Sequence, residues 1–431
     1  MASVHQKIQG QIIKLSKSIS FQEPAYEEGF RLQFIARNPN LELPDFGPSI
    51  ELWRTKGSFR AIENIARLIQ SFCPEAANCD TKTMEDLVTE TIKDLILDQS
   101  IFKINSIYFS ITNCLADCRA DEDINQFSFK IYDNLMTKVR SSIHQWCTVL
   151  GVPRVKCSSF DIPQTDLSLV SRMDNEKWKE IVSSCYMTND WSHQLGSMPN
   201  SEGPQLFGSR YKSLVVHKSK GTQIGSKNSS RLEFAKFFAV LYATATIQEG
   251  FRLQPSMAAP YTWCIQFPAR TSSGLRVAGS QLGEAVFPFF CENVELSSGA
   301  VESIQDWFVN LLHLSAEQRA RVEKASHFVN RGIMTGGLDS YVNFFISLDA
   351  LYGKPGDVGR SIQRGVDSAS LGIDLKERIS WLYELRNELV HGGSRFCSEW
   401  KDYDRYYDHF RTRPEDDVNR IACSALLCAT K

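Results

Sequence analysis

The sequence predicts an α+β protein, mainly α, in which a carboxyl-terminal helical bundle follows a mixed helical and β-containing amino-terminal region. Three observations carry that expectation. After Ser298, six apolar-periodic segments of helical length follow one another with short joins. Between about 151 and 300 the texture is one of short β-prone runs parted by Gly, Ser, Asn and Pro clusters, and before 151 helical periodicity alternates with polar turns. With 431 residues, 42% of them hydrophobic, the chain can bury a large core and is expected to divide into regions 1–150, 151–300 and 301–431.

The elements follow in order. SFRAIENIARLIQSF and INQFSFKIYDNLMTKVRSSIHQWCTVLG have helical periodicity, and RNPNLELPDFGP between Arg37 and Pro48 reads as polar turns. YKSLVVHK, YTWCIQFP and EAVFPFFCENVEL are the β-prone runs of the middle region, which has the size for a sensor or regulatory function. The bundle is written in VESIQDWFVNLLHL, SAEQRARVEKASHFVNRGI, GLDSYVNFFISLDALYGK, VGRSIQRGVDSASLG, DLKERISWLYELRNELVHGG and EDDVNRIACSALLCATK. There are no internal repeats and no low-complexity tract.

Composition removes several classes of function. A net charge of −2 argues against a domain that coats nucleic acid, so any contact with RNA is expected to be local. The longest apolar run, Phe237 to Ile247, is too short to span a bilayer and the amino terminus has no apolar signal core; a cytoplasmic protein without membrane attachment is expected. The 12 cysteines include no CxxC pair and no Cys/His set at zinc spacing, so reduced, mostly buried thiols are expected and no metal site. The glycines of GIMTGGLDS lack the Gly-Lys-Ser/Thr ending of a phosphate-binding loop.

The segment YELRNELVHGG, Tyr383 to Gly393, poses the sharpest question. Asp374 with Glu377 has the form of a capping box, and Gly392 with Gly393 suits a helix end, so a helix is expected from about Leu375 to His391. At about 100° per residue, Leu375, Ile379, Leu382, Leu389 and Val390 share an arc with Arg386 near its centre. Burying an unpaired charge costs several kcal/mol. Arg386 therefore needs a carboxylate, a phosphate or a wet cleft at a subunit junction. Asp349, in FFISLDALYG, is one candidate for a structural bridge. His391, at the helix end, could be a cap or a catalyst. It lies roughly 140° around the helix from Arg386, and Asn387 roughly 100°.

An Arg-Asn-x-x-x-His at the end of the penultimate long helix of a carboxyl-terminal bundle resembles the signature of the HEPN superfamily. The preceding FFISLDALYGKPGDVGRSIQRGVDSASLG resembles its Apea-like branch, and the resemblance covers about residues 303–431. It implies a helical ribonuclease that dimerises through the bundle, so that Arg386 of one protomer faces His391 of the other. By position, His391 would act as general acid or base on the ribose 2′-hydroxyl and the leaving oxygen. Arg386 would hold the scissile phosphate and Asn387 would orient one of them. No metal or other cofactor is implied. The expected partners are RNA, tRNA or mRNA, and a phage-derived trigger, as for bacterial defence or toxin effectors. The competing expectation is a non-catalytic bundle for dimerisation or partner binding, with Arg386 bridged to Asp349.

Two further stretches could touch RNA. SRFCSEWKDYDRYYDHFRTR, read as a loop, interleaves Trp400, Tyr403, Tyr406 and Tyr407 with Arg405, Arg411 and Arg413, a pattern that suits either base stacking or ordinary packing. Residues 210–236 carry Lys218, Lys220, Lys227 and Arg231 among seven bases against one acid, which suits either a phosphate-contacting strip or a solvated loop. Glu384 and Glu388 are expected to solvate their helix.

Overall fold

A computed structural model describes residues 4–20, 30–35, 49–96, 101, 114–120, 123–186, 211–252, 255–257, 262–269, 278–282, 284–290, 292–369 and 375–431. It is mainly helical with a smaller sheet component. The chain divides into two compact units: Met1–Gln145 with Lys220–Ser226, and Trp146–Ser219 with Lys227–Lys431. The turns expected between Arg37 and Pro48 lie outside the described residues.

In the first unit, α1 (Val4–Lys17) leads into β1 (Ile19–Ser20), β2 (Phe30–Ile35) and β3 (Ser49–Arg54), an antiparallel sheet with β3 central. Helices α2 (Lys56–Phe72), α3 (Thr81–Ile96) and α4 (Ile124–Ser142) follow. Ile8, Ile12 and Leu15 recur at helical spacing, as do Ile62, Ile65 and Ile69, and Phe127, Ile131 and Leu135; together they close one core. Segment 220–226 belongs to this unit because two glycines allow a close approach. A Cβ at Gly221 or Gly225 would stand 2.4 or 1.9 Å from the Asn78 carbonyl oxygen.

The second unit holds β4 (His144–Val152) from Trp146 on, β5 (Val155–Lys156), β6 (Phe160–Asp161) and β7 (Leu167–Ser171), then α5 (Asn175–Tyr186), β8 (Ser213–Gly221) up to Ser219 and α6 (Gln223–Gln248) from Lys227 on. β9 (Pro255–Met257), β10 (Trp263–Pro268), β11 (Ala278–Gln281), β12 (Phe289–Phe290) and β13 (Val294–Glu295) complete the strands. Six of them form a sheet in the order β11-β10-β4-β8-β7-β6. One face packs Cys147, Val149, Val170, Val216 and Ile265 against Trp178 of α5. The other meets α6, whose Phe234, Phe237, Phe238, Val240, Leu241 and Tyr242 are buried on all sides. No described helix is long and apolar enough to cross a membrane.

Helices α7 (Ser298–His313), α8 (Ala316–Met334), α9 (Gly337–Tyr352), α10 (Val358–Ser368), α11 (Leu375–Val390), α12 (Tyr403–Phe410) and α13 (Pro414–Cys428) form the carboxyl-terminal part. Local chemistry sets their starts: Ser297 accepts from the Ala300 N–H, and Ser315 with Gln318 forms a reciprocal capping box that opens α8. The boundary expected near residue 300 does not divide the chain. Ala300, Ile304, Trp307 and Phe308 of α7 lie in the same core as the inner face of the sheet and α6, and that core continues into Leu382 and Leu426. Cys147, Cys157, Cys397 and Cys423 are within these cores, where burial pushes each thiol up to about 12.

A polar network crosses the sheet interior. His217 Nδ1 lies 2.9 Å from Ser230 Oγ, Ser230 donates to Thr148 Oγ1 at 3.0 Å, and Gln266 Nε2 donates to the same oxygen at 3.2 Å. All four side chains are buried. Burial lowers the His217 pKa, against the raising influence of Glu233 and Asp166, and burial also lowers that of His327. The unfolded chain takes up these protons at a higher pH than the folded one. Stability conferred by the neutral rings is full above the unfolded value of about 6.5 and falls as pH drops below it. The urea midpoint is expected to decrease between about pH 7.5 and pH 5.5, with a shallower slope for His217→Gln.

Candidate active site

The helix that carries the Arg-His motif is fixed from three sides. Tyr341 of α9 donates its buried hydroxyl to the Leu382 carbonyl at 2.6 Å, and Phe345 packs on Tyr383 with ring centroids 5.8 Å apart. Trp381 meets Trp400 edge-on at 6.2 Å and Tyr406 at 6.0 Å. The buried stripe consists of Leu375, Ile379, Leu382, Leu385 and Leu389, whereas Val390 is 48% exposed. Relative to the expected arc, with Val390 inside, the stripe is turned toward Leu385. Arg386 sits about 40° from its centre, half-buried.

The bridge to Asp349 is not formed. The buried stripe of α9 is Tyr341, Phe344, Phe345, Leu348 and Leu351, which leaves Asp349 roughly 100° from its centre. Asp349 is exposed, and its carboxylate folds back over the end of its own helix, so close that a Cβ on Gly353 would lie 1.8 Å from Oδ1. Among the described residues Arg386 makes no ion pair; its Nη1 donates to Asn387 Oδ1 at 3.1 Å.

The helix end explains the His-Gly-Gly. Gly392 adopts φ +78°, its N–H reaches the Leu389 carbonyl at 3.4 Å, and the Gly393 N–H reaches that of Glu388 at 2.8 Å, which together make a Schellman closure. His391 is thus the C-cap. Its own N–H still donates to the Asn387 carbonyl at 2.9 Å, so the last turn does not unwind before it. The imidazole is exposed, and roughly 140° of helix rotation separates it from Arg386. Beside it in sequence, Phe396 is 61% exposed, like Val390 an apolar side chain in water. The proposed capping residue Asp374 lies outside the described residues.

No family model, curated protein or solved structure matches this chain.

The arginine of α11 that is bridged is Arg378. It pairs with Asp417 of α13; their side chains are 18% and 3% exposed. Tyr406 donates to the same carboxylate at 2.7 Å, and the Arg378 guanidinium lies 4.4 Å from the Phe410 ring centroid. The sequence contained a signal for this triad, because Arg378 lies next to Leu385 on the helix circumference once Leu385 is counted in the buried arc.

The other expected RNA contacts are rearranged. The stretch read as a loop includes the helix α12, closed by Arg411 in the left-handed region at φ 56°. Trp400 is buried against Trp381 and Tyr406 and cannot stack on a base. Arg405 is exposed, but lies over Trp381 at 4.9 Å and pairs with Asp402 at 3.8 Å. The basic strip is no loop: Lys218 and Lys220 are exposed on β8, and Lys227 and Arg231 lie on α6. Acids partly neutralise it, with Arg231 bonded to Glu284 at 2.9 Å and Lys236 to Glu233 at 2.8 Å. Arg210 lies outside the described residues.

Proposed function

We propose that this protein is a metal-independent endoribonuclease whose active centre is assembled from α11 of two copies. The observation that carries the proposal is the state of Arg386 and His391. One helix end holds a half-buried guanidinium without a carboxylate partner and an exposed imidazole, aimed in different directions. Such an arginine can accept a phosphate, and such a histidine can move a proton. A second copy supplies the facing member of each pair, with exposed Val390 and Phe396 as apolar contact.

In the assembled cleft Arg386 binds the scissile phosphate and stabilises its developing charge. Asn387, bonded to Arg386, holds the guanidinium in place, and His391 takes the 2′-hydroxyl proton or delivers one to the leaving oxygen. The substrate is tRNA or mRNA, and the setting is a bacterial cytoplasm, where the protein acts as a defence or toxin effector restrained by its amino-terminal part until a phage-derived trigger arrives. Incubation with total RNA in EDTA is expected to give fragments with 2′,3′-cyclic phosphate or 3′-phosphate and 5′-hydroxyl ends. Fragments with 5′-phosphates would refute the mechanism. The alternative, a non-catalytic bundle for dimerisation or partner binding with Arg386 held by Asp349 and His391 as a cap, keeps the cap and lacks the bridge.

A further inference from the structure

Three polar side chains of α11 form one ridge. Tyr383, Asn387 and His391 follow one another at four-residue spacing, so each is turned only about 40° from the last and stands about 6 Å further along the axis. Arg386 flanks the ridge, about 60° round from Tyr383, and its Nη1 is bonded to Asn387 Oδ1 at 3.1 Å. Long side chains on a helix lean toward its start. The bonded pair therefore reaches back over the turn that carries Tyr383.

The half-buried ring of Tyr383 is held on two sides. Phe345 of α9 packs on it with centroids 5.8 Å apart. Gly359 of α10 lies against it as well: a Cβ there would stand 3.2 Å from Cε1 and 3.4 Å from Cδ1 and Cζ, so the glycine lets the ring approach the α10 backbone. The hydroxyl, by contrast, has no hydrogen-bond partner among the described residues and is not sealed from water. Tyr341 and Tyr406 of the same bundle place theirs on the Leu382 carbonyl and the Asp417 carboxylate. Packing against Phe345 and Gly359 would be served equally by phenylalanine, which leaves the free hydroxyl of Tyr383 available for something outside the chain.

We infer that the Tyr383 hydroxyl binds the RNA backbone at a phosphate beside the scissile one, on the side of Arg386 away from the His391 of the same helix. This rests on the reading of α11 as half of a ribonuclease centre. A phenol donates to a phosphate oxygen, as other neutral side chains do when they set the register of a nucleic acid. The ring is already fixed, so little side-chain freedom is lost on binding. A hydrogen bond to a charged group contributes on the order of tenfold in affinity.

The test is fluorescence anisotropy in EDTA with a short labelled single-stranded RNA of mixed sequence, on the full chain carrying His391→Ala. Adding Tyr383→Phe is expected to raise the Kd about tenfold and to leave the slope of log Kd against log salt as it is, since no charge is removed; adding Arg386→Ala flattens that slope. The urea midpoint is expected to stay unchanged, because the hydroxyl has no partner in the protein. In the chain with His391 intact, Tyr383→Phe is expected to raise KM for cleavage with kcat unchanged. Unchanged Kd and KM, a fall in kcat at constant KM, a lowered urea midpoint, or no RNA binding at all would overturn the assignment. RNA held through Tyr383 but never cut by the wild type would sink the nuclease reading alone, whereas normal cleavage and binding by Tyr383→Phe would sink this assignment alone.

Discussion

Replacement of His391 by alanine is expected to lower RNA cleavage by about 10²–10⁴-fold, the usual share of one positioned acid or base. Arg386→Ala is expected to reach a similar loss by removing the phosphate clamp. Neither variant should change stability by more than about 1 kcal/mol, because His391 is exposed and Arg386 is half-buried with one hydrogen bond to its neighbour. The composite arrangement gives a sharper result. Co-expression of the two inactive variants is expected to restore measurable cleavage, since a mixed dimer holds one intact Arg386 opposite one intact His391. An equimolar mixture that shares subunits yet stays as inactive as its parents would place both residues of a working pair in one protomer, contrary to the geometry of α11.

The largest loss of stability is expected one helical turn from the start of α11. Asp417→Asn or Arg378→Met leaves the other member of a buried ion pair without its counter-charge, at about 3–5 kcal/mol. Arg378→Met combined with Asp417→Leu is expected to recover much of that, because an apolar pair avoids the desolvation of both charges. Tyr406→Phe removes one of the two partners of Asp417 and costs about 1–2 kcal/mol. Urea unfolding followed by tryptophan fluorescence checks these values, with Trp381 and Trp400 of this aromatic cluster among the 8 tryptophans that report. Equal losses for Arg378→Met and Arg386→Ala would mean that α11 is oriented differently from what is described.

The carboxyl-terminal helices were legible because each buries one stripe, and a one-sided stripe writes its period into the sequence. YKSLVVHK and YTWCIQFP were legible as strands for a similar reason, and they are β8 and β10. Helix α6 left no such trace: FFAVLYATATI is apolar on every side because it is enclosed on every side, and length alone does not separate such a run from a strand. At the candidate site, the Arg-Asn-x-x-x-His spacing and the Gly-Gly closure were visible, but the buried arc was placed about 30° too far round, with Val390 in and Leu385 out. Arg378 and Arg386 lie about 40° to either side of the observed stripe's centre, so the wheel alone does not say which arginine is paired. The partner of Arg378, 39 residues away, lies beyond any local pattern.

The core that runs from the sheet through α6 into α7 has a consequence for how the molecule can be taken apart. A chain begun near residue 300 would present Val301, Ile304, Trp307 and Phe308 to water, the faces that α6 and the sheet now cover. The carboxyl-terminal helices are therefore not a cassette that could be excised, fused or exchanged. Whatever perturbs the strands can strain α7 through direct packing, and no flexible tether is needed to carry a signal toward α11.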